Sequence, residues 1–477
     1  MKRLYLILAI AVVLLTSLAI FFFSGHDYRH DLEAYKQDLL AHGENLTALE
    51  LAQPLDTNDT GPAKRFMAFM TNYTLPTNLV VFGMRMVGPG RAQVMHTRLT
   101  AADMLGYESN QSNIAALRAS IDGKPLNFAL DYSNGVEILL PHVAKAKSVV
   151  QLHLGTAIQG LYSHHYDEAF QNLVTGIDYV SLPARDHILI SELVLAASAQ
   201  MAFRATWDFL QERRWTDQQL ARLQESWQQV ALPGAASQFM RMERAMMIDA
   251  FEKCRRMTNG DAAFGIVGSG SAGSSGNPLD DLKNNFKEWW NNYPRFWRWR
   301  RSWSYEEELV YLKKMAIVIH GVDQQRESGS FFPAFTQMNQ ALTSFDATEL
   351  YHTNHILLTG GDPQMLAKSL TKIACAQAAI TITYTAIALE RYHLARNAYP
   401  EKLDQLVPAY IEKVPTDFMD GKPLRYSLRK DGTFLLYSVG SDGVDDGGDP
   451  SGGMPDWTKG LDIVWPTAVQ TNSPGGN

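Results

Sequence analysis

The residues best suited to chemistry in this 477-residue chain are the acids near its C-terminal end. Six aspartates, Asp442, Asp445, Asp446, Asp449, Asp456 and Asp462, share that stretch with a single basic residue, Lys459. Gly443, Gly447, Gly448, Gly452, Gly453 and Gly460 are interspersed. Carboxylates packed this closely repel unless a hard cation or hydrogen bonds offset them, and glycines let backbone carbonyls turn inward as ligands. The chemistry on offer is oxygen coordination of an ion such as Ca²⁺; a loop closed by hydrogen bonds alone is the competing reading. The pattern is not an EF-hand. With Asp442 as first position, Val444 falls third and Gly453 twelfth, where that motif needs acids.

A second segment, residues 283–303, holds five of the ten tryptophans: Trp289, Trp290, Trp297, Trp299 and Trp303. Arg295, Arg298, Arg300 and Arg301 are interleaved with them. Aromatics set between arginines stack on sugars or bases, and they also suit a membrane interface. Two readings stand side by side. In one, the rings plug gaps between helices and the arginines cover them; in the other, the segment binds lipid headgroups or an envelope glycan. Nucleic acid is a poor partner, because a net charge of −7 leaves no basic footprint.

The remaining candidates are weaker. His164 and His165 sit beside Asp167 and Glu168, but adjacent helix positions point in different directions. His352 and His355 could share a helix face, yet the segment lacks the glutamate of a His-Glu-x-x-His zinc site. Neither a Gly-x-Ser-x-Gly elbow nor a phosphate-cradling Gly-x-x-x-x-Gly-Lys loop occurs. Catalysis therefore has no positive support. An envelope hydrolase, acting on a glycan or other polymer held by the Trp–Arg segment, is kept as the alternative to a structural or interaction role.

The elements that must position these groups begin with residues 4–23, which carry no charge and follow Lys2 and Arg3. As a helix they span about 30 Å, enough to cross a bilayer core. A cleaved signal peptide with a site near Ser17-Leu-Ala19 competes with an uncleaved anchor. The run continues through Ile20-Phe-Phe-Phe23, which favours the anchor. The basic flank then stays cytoplasmic, which makes this a single-pass inner-membrane protein with its bulk in the periplasm or outside. No Cys directly follows the span, so lipoprotein processing is not expected. Cys254 and Cys375 are the only cysteines. Two separate buried thiols are favoured over a disulfide.

The expected fold class is mainly α: a transmembrane anchor (1–24), an N-terminal region of unassigned fold (25–145), a helical-hairpin body (146–361) and a small C-terminal α+β module (362–477). Within the first region the pattern predicts one helix over 30–51. The body begins near Lys147, with two short helices over 149–173 that meet near His164-His165. Tyr166-Asp-Glu-Ala169 resembles a tetratricopeptide half-repeat. Helices follow over 186–212 and 216–230, the second opened by the capping box Thr216-x-x-Gln219. A Gly/Ser linker spans 265–278. A further capping box, Ser304-x-x-Glu307, starts a helix that reaches about Val322. Asp362-Pro363 opens a long helix that runs to Arg396, with Ile373, Ile380, Ile387 and Leu394 as a packing seam. Strands over 424–428 and 433–438 are joined by the turn Lys430-Asp-Gly432.

From Tyr399-Pro400 onward the order of short motifs resembles the C-terminal half of the major pseudopilin of type II secretion systems. The matching pieces are Leu406-Val407-Pro408, Val414-Pro-Thr-Asp417, Gly421-Lys-Pro-Leu-Arg-Tyr426 and Ser438-Val-Gly-Ser-Asp-Gly443. They cover roughly the last fifth of the chain. The resemblance implies a helix leading into a small sheet and a terminal loop folded around calcium. It implies the Val439 carbonyl, Asp442 and Asp462 as ligands, with Asp445 and Asp449 favoured between them. A pseudopilin leader with its cleavage site and following glutamate is not found near Met1, so the chain is not expected to be a processed pilin subunit. As a whole it resembles membrane-anchored bacterial proteins in which a helical body precedes such a module. A protein partner, within a secretion or pilus-like assembly, is the expectation that follows.

Overall fold

The computed structural model describes residues 28–52, 60–73, 111–119, 121, 125–230, 232, 236–257, 296–348, 363–448 and 462–465. The described chain is mainly helical and carries a small antiparallel sheet of three strands. The expected anchor over residues 4–23, the Gly/Ser linker and the His352–His355 pair lie outside the described residues.

The N-terminal part holds α1 (Tyr28–Ala41), α2 (Ala48–Leu51) and α3 (Gly61–Asn72). The single helix expected over 30–51 is thus two. The chain turns at Gly43, where φ is +81°, and Thr47 caps α2 in a complete capping box with Glu50. The body follows with α4 (Pro141–Tyr162), α5 (Tyr166–Asp178), α6 (Leu189–Gln211), α7 (Asp217–Gln229) and α8 (Ala236–Arg256). Helix α4 begins earlier than Lys147 because Pro141 supplies a preset first turn. It pairs with α5 across the His164-His165 turn, where the sequence places the break. The Thr216 cap also forms: Thr216 Oγ accepts from Gln219 N, and Gln219 Oε1 accepts from Thr216 N at 3.0 Å.

The other expected cap does not form. Residues Trp299–Trp303 make a π-helical turn that runs straight into α9 (Ser304–Ser328), so Ser304 sits inside helical backbone. Its hydroxyl instead accepts from Arg255 Nε at 2.9 Å, and Glu307 accepts from the Trp299 indole. Tertiary partners have taken both capping groups.

Helix α10 (Phe331–Thr348) leads to α11 (Pro363–Arg396), which runs over the expected range. Helix α11 packs against α6 and α7, and β2 and β3 lie on it. Ile373, Ile380 and Ile387 are buried, whereas Leu394 is 51% exposed. A straight helix drifts about 20° per heptad from a seven-residue repeat, so the fourth position leaves the seam. Among the described residues α11 is the one helix long and apolar enough to span a membrane, from Leu366 to Arg396; 78% of its most apolar window is buried inside the protein. Its place here is that of a core helix.

After α11 come β1 (Arg425–Leu428), β2 (Phe434–Ser438) and β3 (Ile463–Val464), in spatial order β1-β2-β3. The β1–β2 hairpin forms where expected, with Arg425 opposite Tyr437. The third strand is an addition to the two the sequence suggests: Val464 pairs with Tyr437, and Trp465 N donates to Leu436 O at 2.8 Å. One continuous apolar core runs from Leu32 in α1 through α4, α6 and α11 to Trp465 beyond β3.

Candidate functional site

The C-terminal sheet gathers acids in two places. The first is built around Arg425 on β1. Asp417, fully buried, accepts from Met419 N at 2.9 Å, Ser438 Oγ at 2.7 Å, Val439 N at 3.0 Å and Arg425 Nη1 at 2.9 Å. Asp420 takes a two-pronged grip from the same guanidinium and accepts from Lys422 N. Burial works to raise the Asp420 carboxyl, but the Arg425 hydrogen bonds outweigh it and hold it below its ordinary value. Asp417 is raised, chiefly by burial. The turn is fastened to α10, since Phe331 N and Phe332 N donate to the carbonyls of Phe418 and Met419. Tyr426 OH donates to the Pro400 carbonyl, so two separated pieces of the terminal motif meet.

The second place is the loop from Asp442 to Asp462. Asp445 extends from it toward the sheet: its Oδ1 accepts from Tyr437 OH at 2.9 Å and Gly447 N at 3.0 Å, and its Oδ2 is 3.5 Å from Arg425 Nε. The Gly447 N–H, then Tyr437, hold the Asp445 carboxyl below its ordinary value. Asp462, immediately before β3, is 3% exposed. Its Oδ2 accepts from Gly448 N at 2.8 Å, and its Oδ1 is buried with no hydrogen-bond partner among the described residues. Burial first, then the charges of Asp445 and Asp446, push the Asp462 carboxyl up to about 6.

Two glycines shape this loop. At Gly443 φ is +69° and a Cβ would stand 2.6 Å from the Phe332 ring; at Gly448 φ is +72° and a Cβ would stand 2.7 Å from the Tyr437 ring. Any other residue at Gly448 would push the loop off the sheet and withdraw the N–H that it donates to Asp462.

Of the expected metal ligands, Val439 is buried and its N–H is engaged by Asp417. Asp442 is exposed, and its Oδ1 accepts from Val444 N at 3.0 Å. Asp445 and Asp462 are brought to the same side of the sheet, both acting on Tyr437. Asp449 lies outside the described residues, as does Asp456. Among the described residues no three His, Cys, Asp or Glu side chains form a group that could hold a metal. The Asp462 carboxylate and the neighbouring acids are oxygen donors of the kind a hard divalent cation takes, but the described residues alone do not assemble them into a site.

The Trp–Arg segment divides between its two readings. Trp299 is fully buried, stacked between Phe296 and Phe251, with its indole N–H on Glu307. Trp303 is half-buried beneath the Arg298 guanidinium, 4.9 Å from its ring centre. Trp297 is 38% exposed, with Arg300 over it at 5.4 Å. Trp289, Trp290 and Arg295 lie outside the described residues.

Set against known protein families, curated proteins and solved structures, the chain matches none.

One buried cluster had no signal in the sequence. His142 Nε2 meets Asp186 Oδ2, and Ser191 Oγ donates to that same oxygen at 3.0 Å. Phe128 stacks on the imidazole, and Tyr132 OH donates to the Asp186 carbonyl. Burial, then the Asp186 charge, push the neighbouring Glu192 up to about 8. Both hydrogen bonds converge on the aspartate, and none joins the serine to the histidine. The aspartate, not the serine, is thus the histidine's hydrogen-bond partner here. His142 and Asp186 are 44 residues apart, and no local pattern links them. Elsewhere, His164 and His165 are exposed, and Cys254 and Cys375 are buried and free.

A cleft of about 490 Å³ lies between α7, α11 and the 412–418 turn. Trp227, Ile380, Tyr384 and Phe418 line it, and Glu412, beside Lys413, is the one acid among its described lining residues.

Proposed function

We propose that this chain is a membrane-anchored envelope protein with a structural or protein-interaction role, whose C-terminal loop takes up calcium. The span over residues 4–23 tethers it, the helical body stands outside the cytoplasmic membrane, and the terminal module presents a surface to a partner in a secretion or pilus-like assembly. The observation that carries the calcium reading is Asp462, a buried carboxylate with one oxygen unpartnered and other acids close by. A buried charge in that state is costly, and proteins neutralise it with a proton, a counter-charge or a metal.

A bound divalent ion would supply the positive charge and the oxygen coordination that Asp462 lacks. Asp462 Oδ1 is the inner ligand in this reading, with Asp445, Asp446 and Asp449 as candidates around it. The same residues do structural work by themselves. Asp445 ties the loop to Tyr437 and Arg425, and Gly448 N orients the Asp462 carboxylate. The order of motifs from Tyr399-Pro400 to Asp462 supports a pseudopilin-like head, and the Tyr426–Pro400 contact joins two of its pieces.

The test is thermal melting of the full-length chain in detergent, with EDTA or with Ca²⁺. Dissociation constants of roughly 10⁻⁴ M are typical of extracellular calcium modules, and a hundredfold excess of ion then adds about 2.7 kcal/mol. The expected result is a melting temperature several degrees higher in calcium than in EDTA. Identical melts would remove the calcium reading.

A further inference from the structure

We infer that the turn over residues 296–303 is the face by which the tethered body lies on an anionic phospholipid surface. The inference rests on the proposed anchor and deepens it by naming the partner surface. Helices α1 and α9 start at the same end of the body. Arg29 stands 5.9 Å from the Tyr305 ring centre, Lys36 pairs with Glu308 at 2.6 Å, and α1 packs against the π-helical turn Trp299–Trp303. The chain therefore enters the body beside the Trp–Arg turn. The uncharged run ends at Phe23, five residues before Tyr28. Even fully extended, five residues span about 17 Å, so the turn cannot stand far from the headgroups of the bilayer the anchor crosses.

Three glutamates of α9 lie deep at this end. Glu306, Glu307 and Glu308 are all under 8% exposed. Glu308 pairs with Lys36 and Arg255, and Glu307 accepts from Trp299. Toward solvent the turn presents Arg301, with Arg298 and Arg300 half-buried, and α1 adds exposed Arg29 and Glu33 and half-buried Asp31. Residues 296–303 thus carry three arginines and no acid, on a protein whose net charge is −7. Among the described tryptophans of the segment, Trp297 is the exposed one. An aromatic ring of this kind, flanked by guanidinium groups, suits the headgroup layer, where the ring meets the acyl boundary and the cations meet phosphate.

The experiment places the full-length chain in nanodiscs of phosphatidylcholine, with or without phosphatidylglycerol, whose acyl chains carry bromine as a quencher. Trp297 is read as the difference between wild type and Trp297→Phe. The expected result is quenching of Trp297 in phosphatidylglycerol discs, reduced at least about twofold by high salt, because exposed charges are screened. Arg301→Gln, at an exposed position, and Arg298→Gln should each lower it as well. Equal quenching in neutral discs, or none in either, overturns the inference. So does protection of Trp297 that appears only when soluble envelope glycan fragments are added, or only on self-association of the chain. A chain that does not enter the discs removes the anchor and this inference together. A chain that enters them with Trp297 unquenched removes this inference alone.

Discussion

Two buried aspartates stand on one small sheet, Asp417 ahead of β1 and Asp462 ahead of β3, and their surroundings differ. Asp417 receives two backbone N–H groups, a hydroxyl and a guanidinium. Asp462 receives the Gly448 N–H and keeps one oxygen without a partner among the described residues. Both carboxyls are raised by burial. Asp417 has four hydrogen-bond donors; Asp462 has the Gly448 N–H, with the Asp446 backbone also favouring its charged form. The difference shows that crowding of acids does not by itself call for a metal. The single guanidinium of Arg425 reaches Asp417, Asp420 and Asp445, and no ion pair from it to Asp462 is found among the described residues.

The comparison breaks most visibly at Asp417. Asp417→Ala strands Val439 N, Met419 N and the Ser438 hydroxyl, and leaves Arg425 one buried partner fewer. The expected loss is about 3–5 kcal/mol in chemical denaturation. That loss should be the same in calcium and in EDTA. A loss that calcium restores would make Asp417 part of the ion site and erase the distinction between the two regions.

Asp462→Asn should act in the opposite direction. The folded carboxyl titrates near 6, above its ordinary value of 3.8, so the folded protein holds that proton more tightly than the unfolded chain. Stability from this group is complete below the ordinary value and is lost as pH rises through 6. In EDTA the wild type should therefore weaken between pH 4 and 7, by about 2 to 3 kcal/mol from this residue. Asp462→Asn should flatten that decline, stabilise the calcium-free protein at neutral pH and abolish its response to calcium. A variant less stable than wild type in EDTA at pH 7.5 would show that the charge is already satisfied.

The smallest effect is expected at Asp442. Its side chain is exposed and caps only Val444 N, so Asp442→Ala should change calcium-free stability by no more than about 0.5 kcal/mol. Its calcium midpoint sharpens the comparison: a raised midpoint assigns Asp442 to the ion, and an unchanged one confines the site to the acids around Asp462.

Legibility varied with how local each signal was. The Thr216 cap, the break at His164-His165, the run of α11 and the β1–β2 hairpin depend on residues within a few positions of one another, and they form where the sequence places them. The Thr47–Glu50 capping box was equally local and was hidden by the apolar pattern that ran through it. Ser304 and Glu307 carry a capping signature that long-range partners override, since Arg255 and Trp299 offer charged and buried contacts stronger than a helix cap. Strand β3 is two residues long, too short for any period to appear.

By itself the sequence determined where helices start and stop, that a long uninterrupted helix leads into a hairpin, and that acids are concentrated at the chain's end. Those are outcomes of short-range backbone chemistry. Only the tertiary structure decided which acids are already satisfied. Arg425 reaches Asp417 and Asp445 across a turn and a strand, α1 carries the N-terminal end of the body to the Trp–Arg turn, and His142 finds Asp186 inside the bundle. Burial and charge pairing depend on distances through space, which the order of residues along the chain does not contain.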